Sequence, residues 1–292
     1  MSWRTVILTK ESKLSLRMKH LVISNDTVTK IPLSEIAVVI IENPNIVLTG
    51  HIINALSNYK ITAIICDDKM NPASNIQAIY GHHRQSKHIR AQFEWLSERK
   101  ALLWQQIIRQ KIYNQAKVLH ALNKEGVEEL QRFISQVAVA DRTNREGHAA
   151  KVYFNRLYGN DFYRNQEIPI NWALNYGYMI LHSLFARLIV SKGYLTELGI
   201  HHMNEYNQMN LASDFVEVFR PLVDYFVYMH ISDTFNKEDK RNIIAMLDYK
   251  IVIRNAKQHL QSCMQIYLDS CIQYLQDGDI EKLHFPDFQY KL

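Results

Sequence analysis

Two carboxylates and a histidine stand close together in the stretch GIHHMNEYNQMNLASDFVEVFRP, residues 199–221. Asp214 and Glu217 are spaced i and i+3, which places both side chains on one face of a predicted helix. His202 precedes Asp214 by twelve residues, so a loop can fold its imidazole back towards the carboxylates. Two carboxylates and an imidazole suit a hard divalent cation such as Mg²⁺ or Mn²⁺. Because this carboxylate spacing is also typical of a solvated helix face, the residues alone leave both interpretations open.

A further carboxylate lies in the stretch NREGHAAKVYFNRLYG, residues 144–159. Glu146 is followed by small residues, which permit the close approach of another helix or of a substrate backbone. Basic residues are set around it, a composition that is unusual for a solvated face but suits a metal that meets phosphate. The neighbours that carry this interpretation are Gly147, Ala149, Ala150, Arg142, Arg145, Lys151 and Arg156.

Two kinds of pattern along the chain predict the elements that must position these side chains. Short segments rich in β-branched residues predict strands at RTVILT, KLSLR, HLVISN, TVTKIPL, EIAVVIIE and ITAIIC, with one short helix capped by Thr49 before the last. From about Ser86 the apolar residues recur at helical intervals. We therefore predict an α+β protein with a β-rich domain at residues 1–75, a linker at 76–88 and a larger all-helical catalytic domain at 89–292.

Composition limits the class of protein. The chain has 292 residues, of which 47% are hydrophobic, and only nine glycines and six prolines, so it can bury a sizeable core with few linkers. Its three cysteines lack CxxC spacing, which argues against a disulfide framework or a thiolate zinc site. Charged residues interrupt the apolar start, and no apolar run approaches about 18 residues. We predict a cytoplasmic protein without a membrane span.

Positive charge is concentrated between His82 and Lys117. Eight Lys or Arg residues in this stretch are set against only two acids, Glu94 and Glu98, whereas the whole chain has a net charge of only +5. The stretch predicts phosphate contacts, with an ordinary solvated helix face as the alternative. The basic residues are Arg84, Lys87, Arg90, Arg99, Lys100, Arg109, Lys111 and Lys117.

Three stretches together resemble the CRISPR-associated integrase family, whose members are the metal-dependent subunit of the spacer-acquisition complex. They are NREGHAAKVYF, LGIHHMNEYNQMNLASDFVEVFRPLVD and WRTVILTKESKLS, so the resemblance covers nearly the whole chain and includes two separate motifs in the expected order. The chain looks most like the type II branch, which is encoded beside a single-protein effector nuclease. The resemblance implies a β-rich domain that dimerises and a helical domain that carries the metal.

The resemblance also implies which residues act. The Glu of the E-G-x-x-A-x-x-Y-F motif falls on Glu146 and the His of G-x-x-H falls on His202. The D-x-x-E-x-F-R-P run places the third metal ligand at Glu217, where many relatives have Asp, so that Asp214 either orients the ligands or binds the ion itself. The DNA contacts, which would not read sequence, are Arg84, Arg90, Arg99, Arg109, Arg145, His148, Lys151, His201 and Arg220. For His148 an ordinary exposed histidine is the alternative.

The implied reaction is strand transfer with Mg²⁺ or Mn²⁺, in which a 3′-hydroxyl of a short DNA fragment attacks a phosphodiester at the edge of a CRISPR repeat. The implied partners are double-stranded DNA, a second copy of the chain, and a dimer of a small ferredoxin-like protein. An effector nuclease and accessory adaptation proteins are further implied partners. Two alternatives are a stand-alone structure-selective DNA nuclease and a non-catalytic DNA-binding scaffold.

Overall fold

Strands occupy the N-terminal part of the chain and helices most of the remainder. The computed structural model describes residues 4–68, 71–76, 82–231 and 233–290. The mixed α+β class is therefore confirmed. Part of the predicted linker, residues 77–81, lies outside the described residues.

The chain forms two compact units. One comprises residues 1–89 and 183–195, and the other comprises residues 90–182 and 196–292. The division predicted from the sequence, with domains at 1–75 and 89–292, stays a prediction.

Eight strands and one helix make up most of the first unit. In one sheet β5 lies between β1 and β7, all parallel, with β8 antiparallel at the edge. The second sheet has the order β4-β3-β2-β6. The β5 residues are buried throughout, as expected for an interior parallel strand. The elements are β1 Arg4–Leu8, β2 Lys13–Arg17, β3 His20–Ser24, β4 Val28–Pro32, β5 Ile36–Ile41, β6 Val47–Leu48, α1 Gly50–Asn58, β7 Thr62–Cys66 and β8 Pro72–Ile76.

The core of this unit is formed by apolar side chains from both sheets and from α1. Leu14 and Leu21 of the second sheet, Ile36 of the first, and Leu56 of the helix are all inaccessible to solvent. The predicted cap is present, because the Thr49 hydroxyl accepts a hydrogen bond from the backbone N–H of Ile52 at 3.4 Å. The six predicted strands are confirmed, whereas β6 and β8 were not predicted.

The rest of the described chain is mainly helical, with α3 packed against α4, α5, α8 and α10. The apolar stripe of α3, which includes Leu103, Ile107 and Ile112, is fully buried, as its spacing predicted. The helices are α2 Gln85–Phe93, α3 Ser97–Ala121, α4 Val127–Gln136, α5 Arg145–Tyr158, α6 Pro169–Ser191, α7 Asn210–Val216, α8 Arg220–His230, α9 Lys237–Ile244 and α10 Leu260–Asp277.

The prediction that this part is all-helical is wrong at residues 250–259. A β-hairpin lies there, formed by β9 Lys250–Ile253 and β10 Ala256–His259. Its two turn residues, Arg254 and Asn255, have φ of 50° and 58°, the left-handed conformation that matches the twist of a two-residue hairpin. The β-branched run IVI before this turn favours a strand over the helix that the sequence analysis placed there.

One helix among the described residues, α6, is long and apolar enough to cross a membrane, and 72% of its most apolar window is buried. Buried apolar helices of this kind are typical of protein cores. The predicted cytoplasmic location stays a prediction.

Candidate metal centre

The two predicted glutamate ligands converge on the side chain of a lysine. Lys111 Nζ lies 2.6 Å from Oε1 of Glu146 and 2.5 Å from Oε2 of Glu217. Lys111 comes from the middle of α3, Glu146 from the first turn of α5, and Glu217 from the 3₁₀ turn between α7 and α8. Burial acts to lower the pKa of Lys111, but the two carboxylates outweigh burial and raise it. The lysine is therefore charged.

The start of α5 is fixed by two polar side chains, which set the position of Glu146. Asp141 accepts hydrogen bonds from the backbone N–H groups of Arg145 and Glu146, at 2.9 and 3.0 Å. Asn144 caps the helix by accepting from the Gly147 N–H at 3.2 Å. A Cβ at Gly147 would lie 2.7 Å from the Asn144 amide oxygen. The small residue after Glu146 is thus required by this cap.

Asp214 organises the loop that carries His202. Its Oδ2 accepts from the N–H groups of Ile200 and His201, at 2.6 and 3.3 Å, and its Oδ1 accepts from the N–H of His202 at 3.0 Å. The turn is tight, since a Cβ at Gly199 would lie 2.2 Å from the His202 carbonyl oxygen. Asp214 is inaccessible to solvent, and its carboxylate is occupied by this loop.

The same carboxylate orients the His202 ring. Nδ1 of His202 lies 2.7 Å from Oδ1 of Asp214. When Nδ1 donates this bond, Nε2 keeps its lone pair and can bind a metal. The hydrogen bond to Asp214 raises the pKa of His202 above its usual 6.5, although burial acts to lower it. The negative charges of Glu217 and Glu146 add to the rise.

Trp104 of α3 supports the two adjacent histidines. Its ring stacks on that of His201 with 4.1 Å between centroids and a 5° interplanar angle, and it meets the ring of His202 edge-on at 5.5 Å. The indole is almost fully buried. Burial lowers the pKa of His201, so this imidazole is mainly neutral near pH 7.

Arg220 pairs with the Glu217 oxygen that Lys111 does not contact. Its Nη2 lies 3.0 Å from Oε1 of Glu217, and its Cζ lies 4.9 Å from the centre of the Tyr178 ring. The Tyr178 hydroxyl donates to Asp224, a buried acid whose pKa burial raises to about 6. Although the sequence analysis predicts Arg220 to contact DNA, its guanidinium is engaged within the protein by Glu217 and Tyr178.

Lys111, Glu146, His202, Glu217 and the side chains in contact with them form one cluster, and its members differ in solvent exposure. The side chains of Glu217 and Lys111 are 2% and 8% exposed, whereas those of Glu146 and His202 are 28% and 36% exposed. The cluster thus has a buried floor at Glu217 and an open side at Glu146 and His202. In the described ranges, no three His, Cys, Asp or Glu side chains are grouped closely enough to hold an ion, and the Lys111 ammonium lies between the two glutamates.

The predicted DNA contacts fall into two groups. Several are exposed and available for phosphate, namely Arg84, Arg90, His148, Lys151 and His201. Three others are half-buried, and two of these bond to the protein backbone. Arg99 donates to the carbonyls of Leu275 and Gln276 at the end of α10, at 3.2 and 2.5 Å, and Arg109 donates to that of Val137 at 3.4 Å. The half-buried Arg145 guanidinium lies 5.8 Å from the Phe133 ring. Contact of these side chains with DNA stays a prediction.

Two residues of the cluster have roles that the sequence analysis missed. Lys111 was counted only as one of eight basic residues, yet it follows Leu103 and Ile107 at intervals of four on the buried stripe of α3. A lysine in such a stripe signals a buried partner of opposite charge. Trp104 gave no comparable signal, because its ring partners are nearly 100 residues away in sequence.

Comparison with known proteins finds relatives both in sequence and in fold. A CRISPR-associated endonuclease Cas1 from Neisseria meningitidis serogroup C (strain 8013) is 35% identical over 289 residues, which are 97% of this chain and 94% of that protein. Among solved structures, a casposase bound to an integration product is similar, with a TM-score of 0.76 and 17% identity, over 96% of this chain and 92% of that one. A Cas6-RT-Cas1–Cas2 complex gives a TM-score of 0.73 at 18% identity and matches 96% of this chain and 36% of that one.

The two solved structures establish the likeness of the fold, while the sequence comparisons establish the family. The model of the family "CRISPR associated protein Cas1" matches residues 5–248, which include Glu146, His202 and Glu217. Together with the extent of the Neisseria match, this shows that the chain belongs to the CRISPR associated protein Cas1 family.

Proposed function

We propose that the chain is a metal-dependent DNA strand transferase and endonuclease that inserts short DNA fragments into a CRISPR repeat array. The observation that carries the proposal is the convergence of Glu146 and Glu217 on one positively charged nitrogen, beside a histidine that a buried carboxylate orients. Membership of the Cas1 family supports it. So does the likeness in fold to a casposase bound to an integration product.

The residues present fit a divalent cation. The two carboxylates already bracket one positive charge, at 2.6 and 2.5 Å from the Lys111 nitrogen. Carboxylate oxygens with an imidazole form a donor set that Mg²⁺ and Mn²⁺ accept. Glu146, Glu217 and His202 would hold the ion. Asp214 would orient His202 instead of binding the ion, because its oxygens already accept three backbone N–H groups and the imidazole.

In the proposed reaction a DNA 3′-hydroxyl attacks a phosphodiester of the repeat. A new P–O bond joins the fragment to the repeat, and the broken P–O bond leaves a free 3′-hydroxyl on the other side of the cut strand. A bound Mg²⁺ or Mn²⁺ would lower the pKa of the attacking hydroxyl and offset the charge that develops on the phosphate. The chain's own residues would position these groups. Arg220 holds Glu217 at the buried floor, and the partly exposed Glu146 and His202 face the side from which DNA would enter. Water in place of the hydroxyl would give hydrolysis at the same site.

In the proposed assembly, two homodimers of the chain flank a dimer of a small ferredoxin-like partner, and the whole assembly spans the double-stranded spacer DNA. The likeness to the chain of a Cas6-RT-Cas1–Cas2 complex supports such a partner, and the β-rich N-terminal region would supply the dimer contacts. The 35% identity with the Neisseria relative supports a place in the type II branch, with the effector nuclease and accessory adaptation proteins as further partners. Exposed basic residues, among them Arg84, Arg90 and Lys151, would bind phosphate.

The test is a joining reaction with the purified chain, its small partner, a labelled DNA fragment with a free 3′-hydroxyl and a repeat-containing plasmid. Mg²⁺ or Mn²⁺ should give a covalent product, and a chelator should abolish it. Glu146→Gln should lower joining by more than the roughly 10–100-fold that is typical for loss of an outer partner of a metal. The matched control is Glu205→Gln, an exposed carboxylate three residues after His202, which should join normally.

Each alternative has its own outcome in this reaction. Normal joining by Glu146→Gln would contradict the proposal. Hydrolysed DNA without joined DNA would indicate a stand-alone nuclease. Duplex binding that a chelator leaves unchanged, with no covalent product at any metal concentration, would indicate a non-catalytic scaffold.

A further inference from the structure

Lys111 is a buried cation in direct contact with two proposed metal ligands. The residue is 6% exposed, and its Nζ bonds to Glu146 at 2.6 Å and Glu217 at 2.5 Å. Burial of a charged ammonium costs free energy unless oppositely charged groups surround it. The two carboxylates meet this need, so the contact stabilises the lysine and both glutamates at once.

The charges of the two glutamates are balanced by two cations without a metal. Glu146 and Glu217 contribute two negative charges, and Lys111 and Arg220 contribute two positive charges, which gives a sum of zero. Both oxygens of Glu217 are bonded to these cations, Oε1 to Arg220 and Oε2 to Lys111. A divalent ion that bridges Oε1 of Glu146 and Oε2 of Glu217 would occupy the position of the Lys111 nitrogen, which lies 2.6 and 2.5 Å from these two oxygens.

We infer that Lys111 is an internal competitor of the metal: its ammonium holds the two glutamates together in the metal-free chain, and metal binding displaces it. The inference rests on the proposed function, because it takes Glu146 and Glu217 as ligands. Displacing the ammonium breaks its ion pairs with the buried Glu217 and the partly exposed Glu146, so the lysine weakens the affinity of the free chain for the metal. It also stabilises the metal-free fold, because two neighbouring carboxylates repel each other without a cation between them.

The test compares Mn²⁺ binding by the full-length wild-type chain and by Lys111→Met, using calorimetric titration in the absence of DNA. Methionine keeps an unbranched side chain of similar length without the charge. The Kd for Mn²⁺ should fall by about tenfold or more, which corresponds to about 1.4 kcal/mol. The metal-free variant should melt at a lower temperature than the wild type, and Mn²⁺ should raise its Tm by a larger amount.

The matched control is Lys117→Met. Lys117 lies on the same helix and pairs with Asp287, outside the cluster. This variant should lose an ion pair yet bind Mn²⁺ as tightly as the wild type. If Lys111→Met and Lys117→Met both bound Mn²⁺ more tightly than the wild type, the change in net charge alone would explain the effect. That result would overturn the inference.

A second variant covers the case in which Lys111→Met does not fold. Lys111→Gln keeps an amide donor for the carboxylates and should show the same gain in Mn²⁺ affinity. Folding of either variant only when Mn²⁺ is supplied would support displacement. Failure of both variants to fold with and without Mn²⁺ would overturn it, because the lysine would then be needed in the metal-bound form too.

The results separate this inference from the proposed function. No Mn²⁺ binding by the wild type or by either Lys111 variant would remove the metal site and the inference with it. Binding by the wild type that is unchanged or weaker in Lys111→Met would overturn the inference alone and leave the metal-dependent function standing.

Discussion

Asp214 and Glu217 are acids three residues apart in one helical segment, and both are buried, at 0% and 2% exposure. Their surroundings differ. The Asp214 carboxylate is stabilised by hydrogen-bond donors, namely three backbone N–H groups and an imidazole. Glu217 is neutralised by two cations, Lys111 and Arg220. The Asp214 carboxylate is thus held mainly by backbone groups of a loop, whereas the Glu217 carboxylate is held by two charged side chains.

The difference teaches how to tell a structural acid from a candidate ligand. A carboxylate whose lone pairs accept directional bonds from the backbone cannot release them without unfolding the loop that donates them. A carboxylate paired with an ammonium can exchange that cation for another one. This difference favours Glu217 over Asp214 for the proposed role of metal ligand.

The largest effect should follow from Asp214→Ala. The change leaves three backbone donors and the His202 ring without their acceptor, and each unsatisfied buried donor costs about 1–3 kcal/mol. We expect the free energy of unfolding to fall by about 3–5 kcal/mol after partial relaxation, measured by urea unfolding followed by circular dichroism. The exposed Asp161 provides the control, since Asp161→Ala should change little. A loss below about 1 kcal/mol would mean that the loop does not depend on Asp214.

A smaller effect, with a pH dependence, should follow from Glu217→Gln. Burial acts to raise the pKa of Glu217, but Arg220 and Lys111 outweigh burial and lower it from 4.5 to about 2. A carboxyl whose pKa is lowered in the folded state contributes stability above its unfolded pKa and loses it as the pH falls through the folded value. This drop in pKa corresponds to about 3 kcal/mol.

The wild type should therefore exceed Glu217→Gln in unfolding free energy above pH 4.5, and the gap should narrow as the pH falls towards 2. Denaturant unfolding of both proteins at several pH values measures this gap. The contributions of the other carboxylates cancel in the difference, because both proteins contain them. A gap that does not change with pH would show that folding does not lower the pKa of Glu217. Lys111 and Arg220 would then not stabilise its charged form, and the contrast between the two acids would disappear.

The smallest effect should come from the ring contact on the Asp214 side. Trp104 and His201 stack at 4.1 Å, and aromatic pairs of this kind contribute about 0.5–1.5 kcal/mol beyond their buried area. A double-mutant cycle of Trp104→Leu and His201→Ala should give a coupling energy in this range from unfolding measurements. A coupling near zero would leave Asp214 as the main determinant of the loop.

The sequence predicted those features of the fold that depend on local pattern. The β-branched segments near the N terminus and the Thr49 cap are confirmed, because alternation and capping act over a few residues. The hairpin at residues 250–259 was missed for a related reason. Its strands are only four residues each and run directly into α10, so their pattern merged with that of the helix.

The candidate site was predictable as a set of residues but not as an arrangement. The family resemblance pointed to Glu146, His202 and Glu217, and the i,i+3 relation marked Asp214 beside Glu217. Which of the two acids is enclosed by backbone donors could not be predicted, because those donors come from a loop whose path depends on tertiary packing. The position of Lys111 between glutamates 35 and 106 residues away depends on packing in the same way.

The Asp214 carboxylate fixes the backbone from Ile200 to His202 within the folded chain itself. Restricting the backbone costs about 1–2 kcal/mol of conformational entropy per residue, and in this loop that cost is met during folding. Whatever binds the His202 ring then meets a preorganised partner, so its affinity does not have to include the ordering of a mobile segment. Substitutions that loosen this loop would therefore weaken binding at His202 even when they leave every binding atom in place.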